Sequence, residues 1–263
     1  MYVEPVRRID KMYRGKPTHY YVDGNGETIP GVTTIIDRGK PKPALVGWGI
    51  RSVAEYAVNR WDDLADLPVA DRLKELKGSP YAERDAAASR GSEVHALAER
   101  IGRGEEVTVP DDLVGHVESA VAFYDEWQPQ IVLAEACVYN LAYGWAGTLD
   151  MVVDLPDGSR ALLDFKTSKG VYADTGLQLA AYRYCTHYVG DDGQPHPMPQ
   201  VDWCGVVHVR ADGYDVYPIR ADEHVLKQMR YVAAVARAVD EMDSWKLPAL
   251  SAPQPTLDLG VTA

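Results

Sequence analysis

Asp150, Asp164 and Lys166 are the residues of this chain whose types and spacing most readily do chemistry. The runs from Trp145 to Leu155 and from Arg160 to Thr167 are rich in Val, Leu, Met, Phe and Thr. Pro156-Asp157-Gly158 lies between them, which predicts a β-hairpin. With those three residues as the loop, Leu155 faces Ser159, and counting outward sets Asp150 opposite Asp164. Opposed residues share a face, with Cβ atoms about 4.5–5.5 Å apart. Alternation along the strand joins Lys166 to Asp164 and turns Leu163 and Phe165 the other way, into a core. Two neighbouring carboxylates repel unless a cation lies between them, and oxygen ligands favour Mg²⁺ or Mn²⁺ over zinc. Two acids and an ammonium around a hard ion are the minimum equipment for hydrolysing a phosphodiester. The alternative is a surface hairpin with solvated acids, and the alternation of an apolar face with Asp, Asp and Lys argues against it.

Three further pieces stand around that hairpin in a recognisable order. A helix carrying Gln178 and Tyr182 follows it, Glu135 precedes it on a strand, and Arg90-Gly91-Ser92-Glu93-Val94-His95 lies upstream on a helix. In this order the chain resembles the PD-(D/E)XK nucleases, and within them the RecB-like and phage-type exonucleases. The resemblance covers roughly residues 85 to 190, and Gly31-Val-Thr-Thr-Ile followed by Lys42-Pro-Ala-Leu is similar to the start of phage-encoded relatives. It implies that Asp150, Asp164 and the backbone carbonyl of Phe165 bind one or two Mg²⁺ or Mn²⁺ ions. His95 would supply an imidazole to the same or a second ion, and Glu135 a peripheral carboxylate. Lys166 would orient the attacking water or help deprotonate it, and would stabilise charge on the phosphate. Arg90 and Ser92 become candidates for substrate contact. The implied partners are DNA and a single-strand annealing recombinase, and relatives include a ring-shaped homo-oligomer. The implied role is phage recombination or DNA end processing. Some RecB-like relatives carry a four-cysteine iron–sulfur cluster, which Cys137, Cys185 and Cys204 are too few to form.

Each added residue also has a plainer reading. The helix from about Ala82 to Gly104 has an apolar stripe of Val94, Leu97, Ala98 and Ile101, which leaves His95 and Glu99 one turn apart on its flank. They form either a simple side-chain pair or a ligand with the partner that fixes its ring. Gln178 and Tyr182 lie one turn apart on a helix from about Asp174 to Tyr188, whose buried stripe reads Leu177, Ala181, Tyr184 and Tyr188. They either hold the substrate backbone or position Lys166, or they are ordinary boundary residues. Glu135 shares a strand face with Leu133 and Cys137, where a carboxylate is costly unless paired or metal-bound.

Composition limits the rest. At 263 residues, 46% hydrophobic and 25% charged, the chain can bury one good core. The reading is a single nuclease domain over 1–246, with an N-terminal part to 80, a catalytic core over 81–220 and a last helix over 221–246, then a loose tail at 247–263. No apolar run reaches the length of a membrane span and no signal-peptide core is present, so the expected location is cytoplasmic, of a bacterial host if phage-encoded. The net charge of −12 sits awkwardly with an enzyme that grips phosphate. The charge through Lys42 is +3, however, leaving −15 for the remainder, and Arg38, Lys40 and Lys42 are candidate phosphate contacts.

The expected fold is α/β, a central mixed β-sheet flanked by helices like the restriction-endonuclease core, with a helical N-terminal elaboration. A hairpin is expected over Tyr20 to Ile36 about Gly24-Asn25-Gly26, then helices over Ala44 to Trp61, Val69 to Lys77, Ala82 to Gly104 and Asp112 to Trp127. A strand over Ile131 to Asn140 precedes the hairpin. After the Gln178 helix and a loop over Gly190 to Pro199 come strands over Val201 to Val209 and Tyr214 to Ile219, then a helix over Ala221 to Trp245. The functional reading is a metal-dependent DNA exonuclease. Its rivals are a structure- or site-specific endonuclease on the same fold and a non-cleaving DNA-binding or assembly module. Glycoside hydrolysis by paired acids gives Asp-x-Lys no purpose.

Overall fold

The structure, a computed structural model, describes residues 5–13, 16–247 and 249. The expected tail therefore lies almost wholly outside the described residues. The chain opens with strands β1 (Arg7–Tyr13), β2 (Lys16–Val22) and β3 (Thr28–Ile29), paired antiparallel as a small sheet. The turn before β3 closes as its sequence dictates: Asp23 Oδ1 accepts from the backbone N–H of Asn25 and Glu27, and Gly26 takes φ +83°. The expected hairpin to Ile36 is shorter than that. Pro30 ends the strand, and Val32–Gly39 forms helix α1, which buries Val32, Ile35, Ile36 and Gly39. The β-branched run looks like a strand, but its buried positions follow the helical spacing. Strand β1 was not expected at all.

Helices α2 (Pro43–Asn59), α3 (Trp61–Ala65) and α4 (Val69–Gly102) follow. The two helices expected at Val69 to Lys77 and Ala82 to Gly104 are in fact one, of 34 residues, running through Pro80. Proline lacks the N–H that would bond the carbonyl of Leu76, and the hydroxyl of Ser79 donates to that carbonyl instead, at 3.0 Å. Helix α5 (Val114–Trp127) leads into the main sheet, made of β4 (Gln130–Asn140), β5 (Trp145–Asp154), β6 (Arg160–Lys166), β7 (His187–Val189), β8 (Pro195–Pro197), β9 (Trp203–Arg210) and β10 (Gly213–Pro218). Helix α6 (Thr175–Arg183) lies between β6 and β7, and α7 (Glu223–Glu241) closes the fold, with Asp222 accepting the Val225 N–H at its start.

The seven strands run in the order β10-β9-β6-β5-β4-β7-β8, and every neighbouring pair is antiparallel except β6 and β9. This is the expected mixed sheet with flanking helices. Both faces are buried: Val152, Leu162 and Val206 pack with Leu179 of α6, Met229 of α7 and Ile35 of α1. Their neighbours Val153, Leu163 and Val207 pack with Val94 of α4 and Phe123 of α5. Strands covered on both sides read as continuous apolar runs, and here they do. The small N-terminal sheet is tied on through Val6, Tyr21 and Ile29, which pack on Tyr139 and Ala146. Gly31 also bridges Ala146 in parallel.

One close approach yields a stability test. A Cβ at Gly39 would collide with the backbone carbonyl of Val232, the point where α1 meets α7. Gly39→Ala should therefore push α1 off α7 and lower the unfolding free energy by about 1–3 kcal/mol, measured in urea. Gly47→Ala, in open space on α2, is the control and should lose nothing.

Candidate metal centre

The β5–β6 hairpin has the register expected of it. Leu155 N–H bonds the Ser159 carbonyl at 2.9 Å, and the ladder runs Asp154 to Arg160, Val153 to Ala161, Val152 to Leu162 and Met151 to Leu163. Beyond Met151 the Asp150 side chain takes over, its Oδ2 accepting the Phe165 N–H at 2.7 Å. Charge-assisted bonds of this kind are strong and fix the carboxylate rotamer.

Asp150 meets His95 and Glu135. One ligand atom from each lies within 4.8 Å of the other two, and His95 Nδ1 is 3.4 Å from Asp150 Oδ2. His95 arrives on the flank of α4, whose stripe Val94, Leu97 and Ala98 is buried as the spacing required. Gly91 in the same segment stands where a Cβ would come within 3.1 Å of Thr167 Oγ1, so glycine there lets α4 approach the end of β6. The three ligands, with Glu99, Tyr124 and Phe165, line a cavity offering about 10 Å³ to the centre of a water-sized sphere, room for one small particle.

Glu135, expected as a peripheral carboxylate, is a full member of the cluster. It lies between Ala134, paired with Met151, and Ala136, paired with Leu149, and so stands across from Asp150. It also has φ +46° in mid-strand, a left-handed backbone that non-glycine residues rarely adopt. Such strain of about 1–3 kcal/mol persists only where the surroundings enforce it, and here it turns a carboxylate toward His95 and Asp150. Partial loss of water and the charges of Asp150 and Glu99 push Glu135 up to about 7, although the residue as a whole is exposed. Cations Arg8 and Arg103 act the other way. Because the left-handed geometry suits glycine, Glu135→Gly should be more stable than Glu135→Ala by about 1 kcal/mol in urea unfolding, the reverse of an ordinary strand position. Equal stabilities would show the backbone to be unstrained.

Asp164 belongs to a second, adjoining group. It is buried, its Oδ1 accepts from Gln178 Nε2 at 2.8 Å, and Lys166 Nζ lies 2.6 Å from its Oδ2. That Oδ2 has no directed hydrogen bond, leaving a buried acceptor with a charge beside it and no aligned donor. Burial and the Asp150 charge raise Asp164 above the usual carboxylate range, opposed by Lys166 and Gln178. Burial works against the Lys166 ammonium, but Asp164 and Asp150 outweigh it and hold it charged above its ordinary range. The sequence set both aspartates in one cage under the lysine. The structure instead joins Asp150 to His95 and Glu135, and ties Asp164 to Lys166 and Gln178, with the two groups in electrostatic range of each other.

Tyr182 and its helix differ from expectation. Helix α6 ends at Arg183, so Tyr188 lies on β7, and the buried residues are Gly176, Leu179, Ala180, Ala181 and Tyr182. The chain must turn there because Thr186 N–H bonds the Tyr139 carbonyl and Tyr188 pairs with Val138. Tyr182 is thus a core residue whose ring lies on Gly147, where a Cβ would meet its Cζ and Oη at 3.0 Å. It borders a hollow of about 450 Å³ shared with Gln178, Thr148 and Tyr21.

The cations chosen from the sequence are otherwise engaged. Arg38 pairs with Asp240 at 2.6 Å, Lys40 with Asp174 at 3.0 Å, and Lys42 with Asp37. All three border a mainly apolar crevice of about 1100 Å³ between α2, α4 and α7, and do not line the metal cluster. Arg90 and Ser92 are exposed on α4, and the Ser92 hydroxyl bonds the Ala88 carbonyl of its own helix. Sequence reasoning missed Arg8, Arg103, Tyr124 and Thr148. Tyr124 borders the cavity with its hydroxyl buried and without a hydrogen-bond partner. The nearest sequence signal was the early excess of cations, and it pointed to the wrong members.

The donor set fits a divalent ion. Two carboxylates and one imidazole, with no thiolate, suit Mn²⁺ well and Mg²⁺ with water completing its shell. Crowded acids, a cavity of one-particle size and a strained ligand backbone are what such an ion would relieve.

No protein-family model and no curated protein matches this chain significantly. Among solved structures the chain is similar to the crystal structure of SSO0001, at 14% identity over 53% of this chain and 63% of that one. The TM-score is 0.27, too loose a likeness to bear on fold or function.

Proposed function

We propose that this chain is a divalent-metal-dependent deoxyribonuclease of the PD-(D/E)XK kind, acting as an exonuclease in phage recombination or DNA end processing. The observation that carries the reading is the convergence of His95, Glu135 and Asp150 beside the Asp164–Lys166–Gln178 group. His95, Glu135 and Asp150 would hold Mg²⁺ or Mn²⁺, and Asp164 and the Phe165 carbonyl, the other ligands the resemblance implies, stand in the adjoining group. When bound, the ion would supply Lewis-acid stabilisation of phosphate charge and a more acidic water. The protein's own part follows from its contacts. Gln178 fixes the Asp164 carboxylate, and Asp164 holds Lys166 as an ammonium. Lys166, its side chain partly open to solvent, then faces an incoming phosphate as a fixed positive charge, aligning the attacking water and offsetting the developing negative charge. The Phe165 N–H keeps Asp150 turned toward His95. Tyr182 supports α6 from within the core and so sets the position of Gln178.

Under this reading DNA is the partner, and the resemblance extends to a single-strand annealing recombinase and a homo-oligomer. No helix among the described residues is long and apolar enough to cross a membrane. The test is to titrate Mn²⁺ or Mg²⁺ into the protein with labelled linear duplex and with closed-circular DNA. Linear DNA should be degraded from its ends and circles spared. Cut circles would favour the endonuclease, and binding without metal-dependent turnover would favour the non-cleaving module.

A further inference from the structure

Strand β4 is covered on one side by β5 along its length, but on the other it pairs with β7 only at Val138 and Tyr139. Among the described residues the edge from Ile131 to Cys137 therefore has no strand partner, and it floors a groove of about 1080 Å³. Glu135 opens into this groove, and Arg8 from β1 and Arg103 from the end of α4 border it. Arg103 Nη2 meets Glu99 Oε1 at 2.5 Å, and Glu99 lines the cavity of the His95–Glu135–Asp150 cluster. Arg8 is held in place: its Nη1 donates to Thr148 Oγ1 at 3.3 Å, and its Nε donates to Asp10 at 3.0 Å. Tyr21 shares the same threonine, its Oη lying 2.9 Å from Oγ1. Thr148 is two residues before Asp150 on β5, so the small N-terminal sheet fixes a guanidinium at the approach to the cluster. Asp191 and Asp192 border the groove as well, Asp192 already bonded to His196. They make that part the less favourable for phosphate and leave the arginines as the favourable one.

We propose that Arg8 and Arg103 are phosphate contacts that seat the nucleic-acid strand in this groove, with the open edge of β4 beneath it, and so deliver a phosphodiester to the His95–Glu135–Asp150 cluster. The inference rests on the nuclease reading for its substrate class. An arginine fork suits phosphate by shape as well as charge, and open main-chain N–H groups are common phosphate donors. A chain of net charge −12 has to concentrate its cations where phosphate passes. Arg8 and Arg103 each meet an acid, as Arg38, Lys40 and Lys42 do, but these two border the approach to the cluster and the other three do not.

The experiment measures binding of a labelled oligonucleotide by the full chain in EDTA across a salt series, and separately KM and kcat with Mn²⁺. Arg8→Ala and Arg103→Ala should each weaken binding about tenfold and reduce the slope of log affinity against log salt by about 1, raising KM more than they lower kcat. Arg8→Lys should restore the slope. Thr148→Val, which removes the hydroxyl but keeps the Arg8 charge, should leave the slope unchanged. An unaltered slope in the alanine variants overturns the proposal, as does a Thr148→Val variant that reproduces their loss, because Arg8 would then act only by bracing β5. If the wild type binds with Arg8-dependent slope but never cuts, the contact stands and the nuclease reading falls.

Discussion

Replacing Asp150 by Asn should lower metal-dependent cleavage about a thousandfold or more, while leaving the fold intact. The substitution removes one charge from the His95–Glu135–Asp150 group but keeps an oxygen to accept the Phe165 N–H. Catalysis by the bound ion depends on several kcal/mol of charge stabilisation, and displacing the ion forfeits it. Binding of Mn²⁺, followed by calorimetry, should weaken by at least about tenfold to a hundredfold, the loss expected even from partners that only orient a ligand. Stability without metal should hold or rise, because Asp150 repels Glu135 and Asp164. A functional cluster of like charges typically costs stability. Unchanged Mn²⁺ binding would place the ion elsewhere, and a collapse of stability would make Asp150 a structural residue.

Lys166→Met should abolish cleavage and also destabilise the protein by about 3 kcal/mol in mildly alkaline solution, where it strands the buried Asp164 charge. That figure is at the low end for a broken pair because the lysine side chain keeps 30% of its exposure. The loss has a pH signature. Burial and Asp150 already raise Asp164, and without Lys166 its folded value climbs further above that of the unfolded chain. A carboxyl raised on folding is harmless in acid, where it is protonated in both states. It costs stability as pH rises from the unfolded value of about 4 toward the folded one. Wild type and variant lose stability in parallel up to the wild type's folded Asp164 value of about 7, so the gap between them in urea unfolding should be flat in acid and widen only above about pH 7. Asp164→Asn combined with Lys166→Met should recover most of the stability and none of the cutting. A gap independent of pH would show that Asp164 is not the stranded charge.

Much of this arrangement is local and therefore legible in the sequence. The turn Pro156-Asp157-Gly158 and the residues on either side fix the hairpin register, because a one-residue slip would turn the Asp164 carboxylate into the apolar face where Leu163 and Phe165 pack. The stripe Val94, Leu97 and Ala98 likewise fixes which side of α4 is buried, and so puts His95 on the flank. The order of strands and helices, the α/β class and the pairing of Asp164 with Lys166 all follow from periodicities of two and 3.6. Where a competing signal was short-range, reading failed. The break expected between Lys77 and Ala82 is bridged across Pro80, where Ser79 takes over the orphaned carbonyl, and the β-branched run at Val32 looked like a strand until packing on α7 selected the helix.

By itself, then, the sequence determined the strands and helices around the hairpin, the sheet's buried runs and the identity of the six groups that meet at the site. Tertiary structure alone decided their partition. Whether Asp150 meets His95 depends on how α4 packs on β5, and which cations reach the cluster depends on where β1 docks. Hydrophobic periodicity specifies a face but not the neighbour brought against it. The left-handed backbone at Glu135 and the bond from Arg8 to Thr148 join residues far apart in the chain, so no local pattern encodes them.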